Sequence, residues 1–122
     1  MKVVYVAGPF RSVNEHGAPD MFGVQKNIMS AMAKALEVWQ HGGVAICPHS
    51  NTMFFTGSAP DEMWLEGDLE LLRRSDAVLL TDDWERSSGS RAEVDLALYE
   101  VIPVFGVGHR PIQELWNLLK DD

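Results

Sequence analysis

The residues whose types and spacing could do chemistry are concentrated in the segment Ser87–Glu93, which reads Ser-Ser-Gly-Ser-Arg-Ala-Glu. It follows the apolar run Ala77–Leu80 and precedes a helical pattern. A strand that gives way to small residues and then to a helix leaves backbone N–H groups free, and such groups bind anions. Glu93 lies in the helix's first turn, where the dipole favours an ionised carboxylate. A phosphate site beside an ionised acid could support cleavage of a sugar–base bond. The candidate binding residues in this segment are Ser87, Gly89, Ser90 and Arg91.

The same segment has a structural explanation. Ser90 and Glu93 are three positions apart, as in a capping box whose two side chains bind backbone N–H groups at a helix N-terminus. In that interpretation Ser90 caps the helix and Glu93 only stabilises it. The residues of the segment do not decide between a capping box and a reactive carboxylate.

Asp68 is a second carboxylate in an unusual position. When residues 61–74 are projected at ~100° per residue, Asp68 falls in the middle of the helix's apolar side. A carboxylate there is costly unless it is paired, hydrogen-bonded or protonated. Asp68 is therefore either bonded to a nearby backbone group or arginine, or an acid with a raised pKa that donates a proton near neutrality. In the second case Asp68 is the proton donor and Glu93 the ionised nucleophile.

Tyr5 lies near the carboxyl end of the first predicted strand, within the run Lys2–Ala7. Its hydroxyl could hold Glu93 in position. A tyrosine in a strand is also commonly explained by packing alone, and the sequence leaves both explanations open.

The chain turns sharply after this strand at Gly8, Pro9 and Phe10. Gly8 would let the backbone approach a ligand and Phe10 could stack on a base, although a structural turn explains these residues equally well. Arg11 follows the turn and could supply positive charge for a phosphorylated ligand.

Metal and cofactor chemistry has little support in the sequence. Cys47, His49 and His41 lack the spacing of a metal site. There is no dinucleotide-binding or Walker-type glycine pattern. The run from Ser88 to Ser90 lacks the second glycine of a hydrolase's nucleophile elbow. The sequence therefore predicts neither a metal ion nor a cofactor.

Strand and helix patterns alternate along the chain, without repeats. The predicted strands are about Lys2–Ala7, Val44–Cys47, Ala77–Thr81 and Pro103–Val107. The predicted helices are about Gly23–His41, Asp61–Ser75, Ser90–Val101 and from Pro111 to the C-terminus. The loops that follow the strands are Gly8–Phe22, Pro48–Pro60, Asp82–Gly89 and Gly106–Arg110.

This alternation predicts an α/β fold, a flavodoxin-like or Rossmann-like doubly wound parallel sheet of four to five strands with helices on both faces. Ligands of such sheets bind at the carboxyl ends of the strands, where the strand order reverses. In the flavodoxin-like order, the first and third strands flank that point. The loops Gly8–Phe22 and Asp82–Gly89 should therefore face each other.

The bulk properties limit the partners. A chain of 122 residues predicts a single domain, residues 1–122. The formal net charge of −8 argues against a nucleic-acid polymer, which needs clustered lysine and arginine, but not against a small phosphorylated ligand. No apolar stretch is long enough to predict a membrane span. The N-terminus runs into a strand pattern without a cleavage site, so no signal peptide is predicted. Cys47 is the only cysteine, which suits a reducing cytoplasm.

Taken together, the motifs resemble those of the nucleoside 2-deoxyribosyltransferase-like superfamily, and particularly its short DUF4406 branch. The similarity covers nearly the whole chain. It rests on the runs Val4–Pro9, Asp68–Asp76 and Trp84–Val94. It implies a flavodoxin-like fold and cleavage of an N-glycosidic bond with retention. By that resemblance Glu93 attacks the anomeric carbon, Asp68 protonates the departing base and Tyr5 orients the glutamate.

One position bears on the substrate. The deoxyribosyltransferases carry an aspartate six residues before the glutamate, where this chain has Ser87. Deoxynucleoside 5′-monophosphate N-hydrolases resemble this chain there, which favours a 5′-monophosphate as substrate. The alternatives are a base-exchanging transferase and a nucleotide-binding module without turnover. The resemblance also implies a homodimer or higher homo-oligomer. The four tryptophans and the apolar helix faces leave room for such an interface, although burial in the core would use the same residues.

Overall fold

A computed structural model describes residues 1–121 and shows an α/β fold. The strands are β1 (Val3–Ala7), β2 (Val44–Ile46), β3 (Ala77–Leu80) and β4 (Val104–Phe105). The helices are α1 (Met21–Gln40), α2 (Pro48–Asn51), α3 (Asp61–Arg73), α4 (Ser88–Tyr99) and α5 (Ile112–Lys120), with a 3₁₀ turn at Trp84–Arg86. The strands form one parallel sheet in the order β2-β1-β3-β4.

Helices cover both faces of the sheet, because successive side chains of a strand point to opposite faces. Tyr5 of β1 packs with Leu72 of α3 and Val94 of α4. Val4, the neighbour of Tyr5, packs instead with Val38 of α1 and with residues of α5. The central strands are apolar and buried along their length, as expected for a parallel sheet between two helical layers. The predicted doubly wound fold is confirmed.

The strand order reverses between β1 and β3. Chain connections leave this pair in opposite directions, to β2 on one side and to β4 on the other. The two strands pair from Val4 with Ala77 to Ala7 with Leu80, so their carboxyl ends lie level. The loops that follow these two strands therefore begin side by side, as predicted from the flavodoxin-like order.

The element boundaries differ from the prediction at several points. Helix α4 begins at Ser88, two residues before the predicted start, and α1 begins at Met21 rather than Gly23. The loop predicted after β2 contains the short helix α2, which starts at Pro48. Proline suits a first helical position because its missing N–H would have no partner there. The 3₁₀ turn lies within the loop predicted after β3.

In the part of the chain that the structure describes, no helix is both long enough and apolar enough to cross a bilayer.

Candidate active site

The centre of the candidate site is a hydrogen bond between β1 and α4. Tyr5 is fully buried, and its hydroxyl donates to Oε2 of Glu93. Tyr5 points to the sheet face covered by α3 and α4, which is why its ring reaches the first turns of α4. Burial, followed by the charge of Glu93, raises the pKa of Tyr5 far above its usual range. Tyr5 therefore stays protonated and acts as a permanent donor to Glu93.

Glu93 holds its proton more tightly than the sequence predicted. Burial raises its pKa to about 7, the hydrogen bond from Tyr5 lowers it, and the charge of Asp68 raises it. A carboxyl with this pKa is about half ionised at pH 7, so Glu93 is only partly in the ionised form that was expected from the sequence. The reason is that burial raises the pKa of Glu93. Because α4 begins at Ser88, Glu93 also lies beyond the first turn, where the sequence placed it and where the dipole acts.

Asp68 lies on α3, partly buried, on the same side of the sheet as Glu93. Burial raises its pKa to about 6. Within residues 1–121, no arginine, backbone group or other donor is bonded to its carboxylate, so the alternative of a structurally paired aspartate is wrong. The negative charge of Asp68 also acts on both Tyr5 and Glu93, which shows that the two acids share one electrostatic environment. Burial is nevertheless the largest cause of the raised pKa at both Asp68 and Glu93.

The N-terminus of α4 is capped by Ser87 rather than Ser90. The hydroxyl of Ser87 accepts a hydrogen bond from the backbone N–H of Ser90 at 3.1 Å. The predicted capping box is therefore wrong, because α4 starts earlier and the carboxylate of Glu93 is bonded to Tyr5 instead of a backbone amide. Ser87 and Ser90 are both residues that can cap a helix, so the sequence alone did not show which of them caps α4.

Within the described part of the chain, hydrogen-bond donors without a partner remain at the N-terminus of α4. The N–H groups of Ser88 and Gly89 are in the first turn, where no carbonyl of the helix can accept them. The side-chain oxygen of Ser90 is buried and has no partner among residues 1–121. Ser87 can donate its own hydroxyl proton while accepting from Ser90. These groups together form a cluster of neutral donors that suits an oxyanion.

The arginines near this cluster are already bonded. Arg11, predicted to bind substrate, pairs with Asp61 at the start of α3, and its side chain is exposed. Arg91 donates to the backbone carbonyl of Glu85 at 2.6 Å. That contact leaves the charge of Arg91 uncompensated, since a carbonyl carries no formal charge. Arg91 is thus better placed than Arg11 to attract an anion to the end of α4.

The turn after β1 is packed tightly against its neighbours. A Cβ atom at Gly8 would lie 2.3 Å from Oγ1 of Thr81, so the glycine is required by the approach of the chain to β3's end. Gly8 and Pro9 are buried, and the ring of Phe10 is tilted against His49 at 6.2 Å. Thr81 was not among the site residues predicted from the sequence, and His49 was considered there only as a metal ligand.

His49 is the least expected residue of the region. It is 5% exposed, and Nε2 lies 2.8 Å from the carbonyl oxygen of Gly8 and 3.1 Å from that of Pro9. In residues 1–121 no group of three or more histidine, cysteine, aspartate or glutamate side chains is arranged to hold a metal ion. The neighbouring Pro48 was a sequence signal for the start of the short helix that carries His49, but not for the contacts of its side chain.

A groove of about 570 Å³ lies apart from these residues, between α1, the edge strand β2 and α2. Its lining is mostly apolar and includes Met32, Trp39 and Ile46. Tyr5, Asp68 and Glu93 do not line it.

Comparison with known proteins identifies the family. A family described as a domain of unknown function, DUF4406, matches residues 2–105, a range that contains every predicted site residue. No curated protein and no solved structure matches the chain. Since the match covers most of the sequence, the chain belongs to the DUF4406 family.

Proposed function

We propose that the protein hydrolyses the N-glycosidic bond of a nucleoside 5′-monophosphate. The observation that carries this proposal is the Tyr5–Glu93 hydrogen bond beside Asp68, an otherwise unpaired acid. Two carboxyls that differ in environment are what retaining cleavage of a glycosidic bond needs. The sequence resemblance to nucleoside 2-deoxyribosyltransferase-like proteins, which involves the same three residues, also supports the proposal.

In the proposed reaction Glu93 attacks the anomeric carbon of the sugar. The sugar–base bond breaks, the base leaves with a proton from Asp68, and a glycosyl ester forms on Glu93. Water, deprotonated by Asp68, then attacks the same carbon and releases the sugar phosphate and the carboxylate. Tyr5 orients Glu93 in both steps and favours its charged form.

This mechanism requires one proton on the carboxyl pair, located on Asp68. With pKa values of about 6 for Asp68 and about 7 for Glu93, the pair carries a single proton mainly between those values. In the free protein that proton lies more often on Glu93 than on Asp68. The hydrogen bond from Tyr5 acts against this imbalance, which gives the tyrosine a role in activity beyond packing.

The phosphate of the substrate is assigned to the N-terminus of α4. Ser88 and Gly89 offer backbone N–H groups, Ser87 offers its hydroxyl proton and Ser90 has an unpaired buried hydroxyl. An oxyanion held there would lie about one helical turn from Glu93, close to the acid that must reach the sugar.

The direct test is incubation of the protein with a panel of nucleosides and their 5′-monophosphates, followed by chromatography for free base. We expect free base and sugar phosphate from at least one monophosphate, and less from the matching nucleoside. Transfer of the sugar to an added second base would instead identify a transferase. Thermal stabilisation by nucleotides without release would identify a binding module, since a ligand stabilises only the folded form. Either of these two results would contradict hydrolysis.

Replacing Tyr5 with phenylalanine should lower kcat/KM and change its pH profile. The wild-type profile should be greatest between about pH 6 and pH 7, because the singly protonated pair is most abundant there. Loss of the hydroxyl raises the pKa of Glu93, so the alkaline limb moves to higher pH and the maximum falls roughly 10-fold or more. Steady-state rates between pH 5 and pH 9 measure both effects.

The matched control is Tyr99→Phe, at the exposed end of α4. It should reproduce the wild-type profile. An unchanged profile for Tyr5→Phe would show that the tyrosine only packs.

Replacing Gly89 with alanine tests the phosphate site without disturbing the fold. A Cβ atom at Gly89 would meet the hydroxyl oxygen of Ser87 at 3.7 Å, an ordinary contact, so the melting temperature should stay the same or rise. The methyl group would occupy space beside the free N–H groups, so KM for the 5′-monophosphate should rise at least ~10-fold, a loss of about 1.4 kcal/mol.

Gly67→Ala on α3 is its control, since a Cβ atom there meets nothing within 4 Å. It should leave KM unchanged. Equal KM values for Gly89→Ala and wild type would exclude a phosphate at this helix end.

We further propose that the protein assembles as a homodimer through α1. Phe22, Met29 and Leu36 are spaced seven residues apart, as are Met32 and Trp39, and all five side chains are exposed by 40–69%. Apolar residues that recur every seven positions form the contact surface between packed helices. Their exposed area, on the order of 600 Å², approaches the ~800 Å² that each partner buries in a standard interface.

Leu36→Glu should convert the dimer to a monomer, as measured by light scattering during gel filtration. Leu98→Glu on α4 is the control, because Leu98 is equally exposed at 56% but lies outside the seven-residue repeat. A monomeric wild-type protein would contradict the proposed assembly.

A further inference from the structure

We propose that His49 is a positioning residue that holds the turn Gly8–Phe10 in the shape required for substrate binding. The inference rests on the proposed function and extends it to a residue that makes no contact with Glu93 or Asp68. It follows from the contacts of a buried imidazole with two successive carbonyl groups at the end of β1.

The contacts define the state of the ring. Nε2 lies within hydrogen-bond distance of the Gly8 and Pro9 carbonyl oxygens, which can only accept, so Nε2 carries the hydrogen. Nδ1 is buried without a partner among residues 1–121. Burial also lowers the pKa of His49, and its bonds to the two carbonyls act against that change. The ring is therefore a neutral imidazole with its single hydrogen on Nε2.

Side chains from three different segments of the chain contact the turn Gly8–Phe10. His49 follows β2 and binds the Gly8 and Pro9 carbonyls, while Thr81 follows β3 and packs against Gly8 from the opposite side. The side-chain amide of Asn27 on α1 donates to the carbonyl of Phe10 at 3.1 Å. Three successive carbonyl oxygens are thus bonded to side chains of α1 and α2.

This arrangement has an electrostatic consequence for an anionic ligand. The order of the sheet places β2 and β3 on opposite sides of β1. His49 therefore draws the Gly8 and Pro9 oxygens toward the β2 side, away from the loop after β3 that leads to α4. An oxygen left facing that loop would repel a bound phosphate. His49 acts on substrate affinity through the turn, and the carboxyl chemistry is unaffected.

The test compares His49→Phe with His49→Gln. Phenylalanine keeps a buried ring and removes the donor, whereas the amide of glutamine replaces the N–H near the same position. With the 5′-monophosphate that releases base in the panel, we expect His49→Phe to raise KM at least ~10-fold with kcat within ~3-fold of wild type. His49→Gln should restore most of the affinity. His41→Phe is the control, because His41 stacks on Trp116 at 3.9 Å and its Nδ1 lies 2.7 Å from the carbonyl oxygen of Glu37, and neither partner belongs to the turn.

A second measurement does not depend on turnover. Nitrogen-15 spectra of the wild-type histidines should show His49 with its hydrogen on Nε2, and hydrogen exchange over residues 8–12 should be faster in His49→Phe than in His49→Gln. If no nucleotide is cleaved but these two results are obtained, the proposed function fails while the positioning of the turn stands. An Nδ1–H tautomer, or a KM for His49→Phe equal to that of wild type, would overturn the inference. If His49→Phe does not fold, the wild-type spectra still decide it, because an Nδ1–H tautomer would leave Nε2 without a hydrogen to donate to the two carbonyls.

Discussion

Glu93→Gln is expected to abolish base release and, at the same time, to make the protein more stable at pH 8. Glutamine is nearly the same size as glutamate and its amide oxygen can still accept the hydrogen bond from Tyr5, so the local structure is preserved. The amide cannot form a glycosyl ester. Base release should therefore fall at least ~10⁴-fold, as expected when an enzyme loses its nucleophile.

The gain in stability follows from the direction of the pKa shift. The pKa of Glu93 is about 7 in the folded protein against an ordinary value of 4.5, so the folded state binds this proton more tightly than the unfolded state. Stability from that proton is fully present below pH 4.5 and is lost as the pH rises through 7. At pH 8 the ionised carboxylate costs roughly 3 kcal/mol. Glutamine removes this cost, which corresponds to a melting temperature higher by roughly 10 °C.

Thermal unfolding from pH 5 to pH 8, alongside the base-release assay, measures both effects. The exposed Glu66 on α3 provides the control, and Glu66→Gln should change neither activity nor the pH dependence of unfolding. A Glu93→Gln protein that still releases base would remove Glu93 from the mechanism. A variant that is inactive and less stable at every pH would show that Glu93 is structural.

Ser87→Asp should reverse the preference for phosphorylated substrates, and Ser87→Asn should not. Aspartate and asparagine are equally good N-caps, so both should keep α4 intact. They differ in one negative charge, placed where the phosphate is proposed to bind. Two charges ~4 Å apart near a protein surface interact by about 4 kcal/mol. The ratio of kcat/KM for monophosphate over nucleoside should therefore be at least ~100-fold lower in the aspartate variant.

The measurement is a competition between a 5′-monophosphate and its nucleoside for each variant. The two variants should have similar melting temperatures, which separates the effect of charge from that of capping. An identical preference in the aspartate and asparagine variants would place the phosphate somewhere other than the end of α4.

The fold was predictable because its signals are local and repeated. Buried strands such as Val3–Ala7 and Ala77–Leu80 are continuous apolar runs, and the helices between them have clear periodicity. The first residue of a helix was harder to predict where either of two residues could cap it. Ser87 and Ser90 could both cap α4, and only the packing of Glu93 against Tyr5 decides between them.

The pKa values of the site's carboxyl groups were less predictable than the identity of its residues. Asp68 stood out because a carboxylate on an apolar face is rare, and its raised pKa follows from that burial. The raised pKa of Glu93 depends on how α4 packs on the sheet, which a single helix pattern does not contain. His49 was missed because its partners are backbone carbonyls 40 and 41 residues away, and backbone atoms leave no mark in the sequence.

The bond between Tyr5 and Glu93 joins residues 88 positions apart, on the first strand and on the helix after the third. During synthesis the tyrosine leaves the ribosome long before the glutamate, and contacts between distant positions form late in folding. Until the sheet closes, the glutamate is hydrated and titrates like any other. The nascent chain therefore lacks the buried carboxyl with a raised pKa on which the proposed reaction depends, and that group arises only in the finished domain.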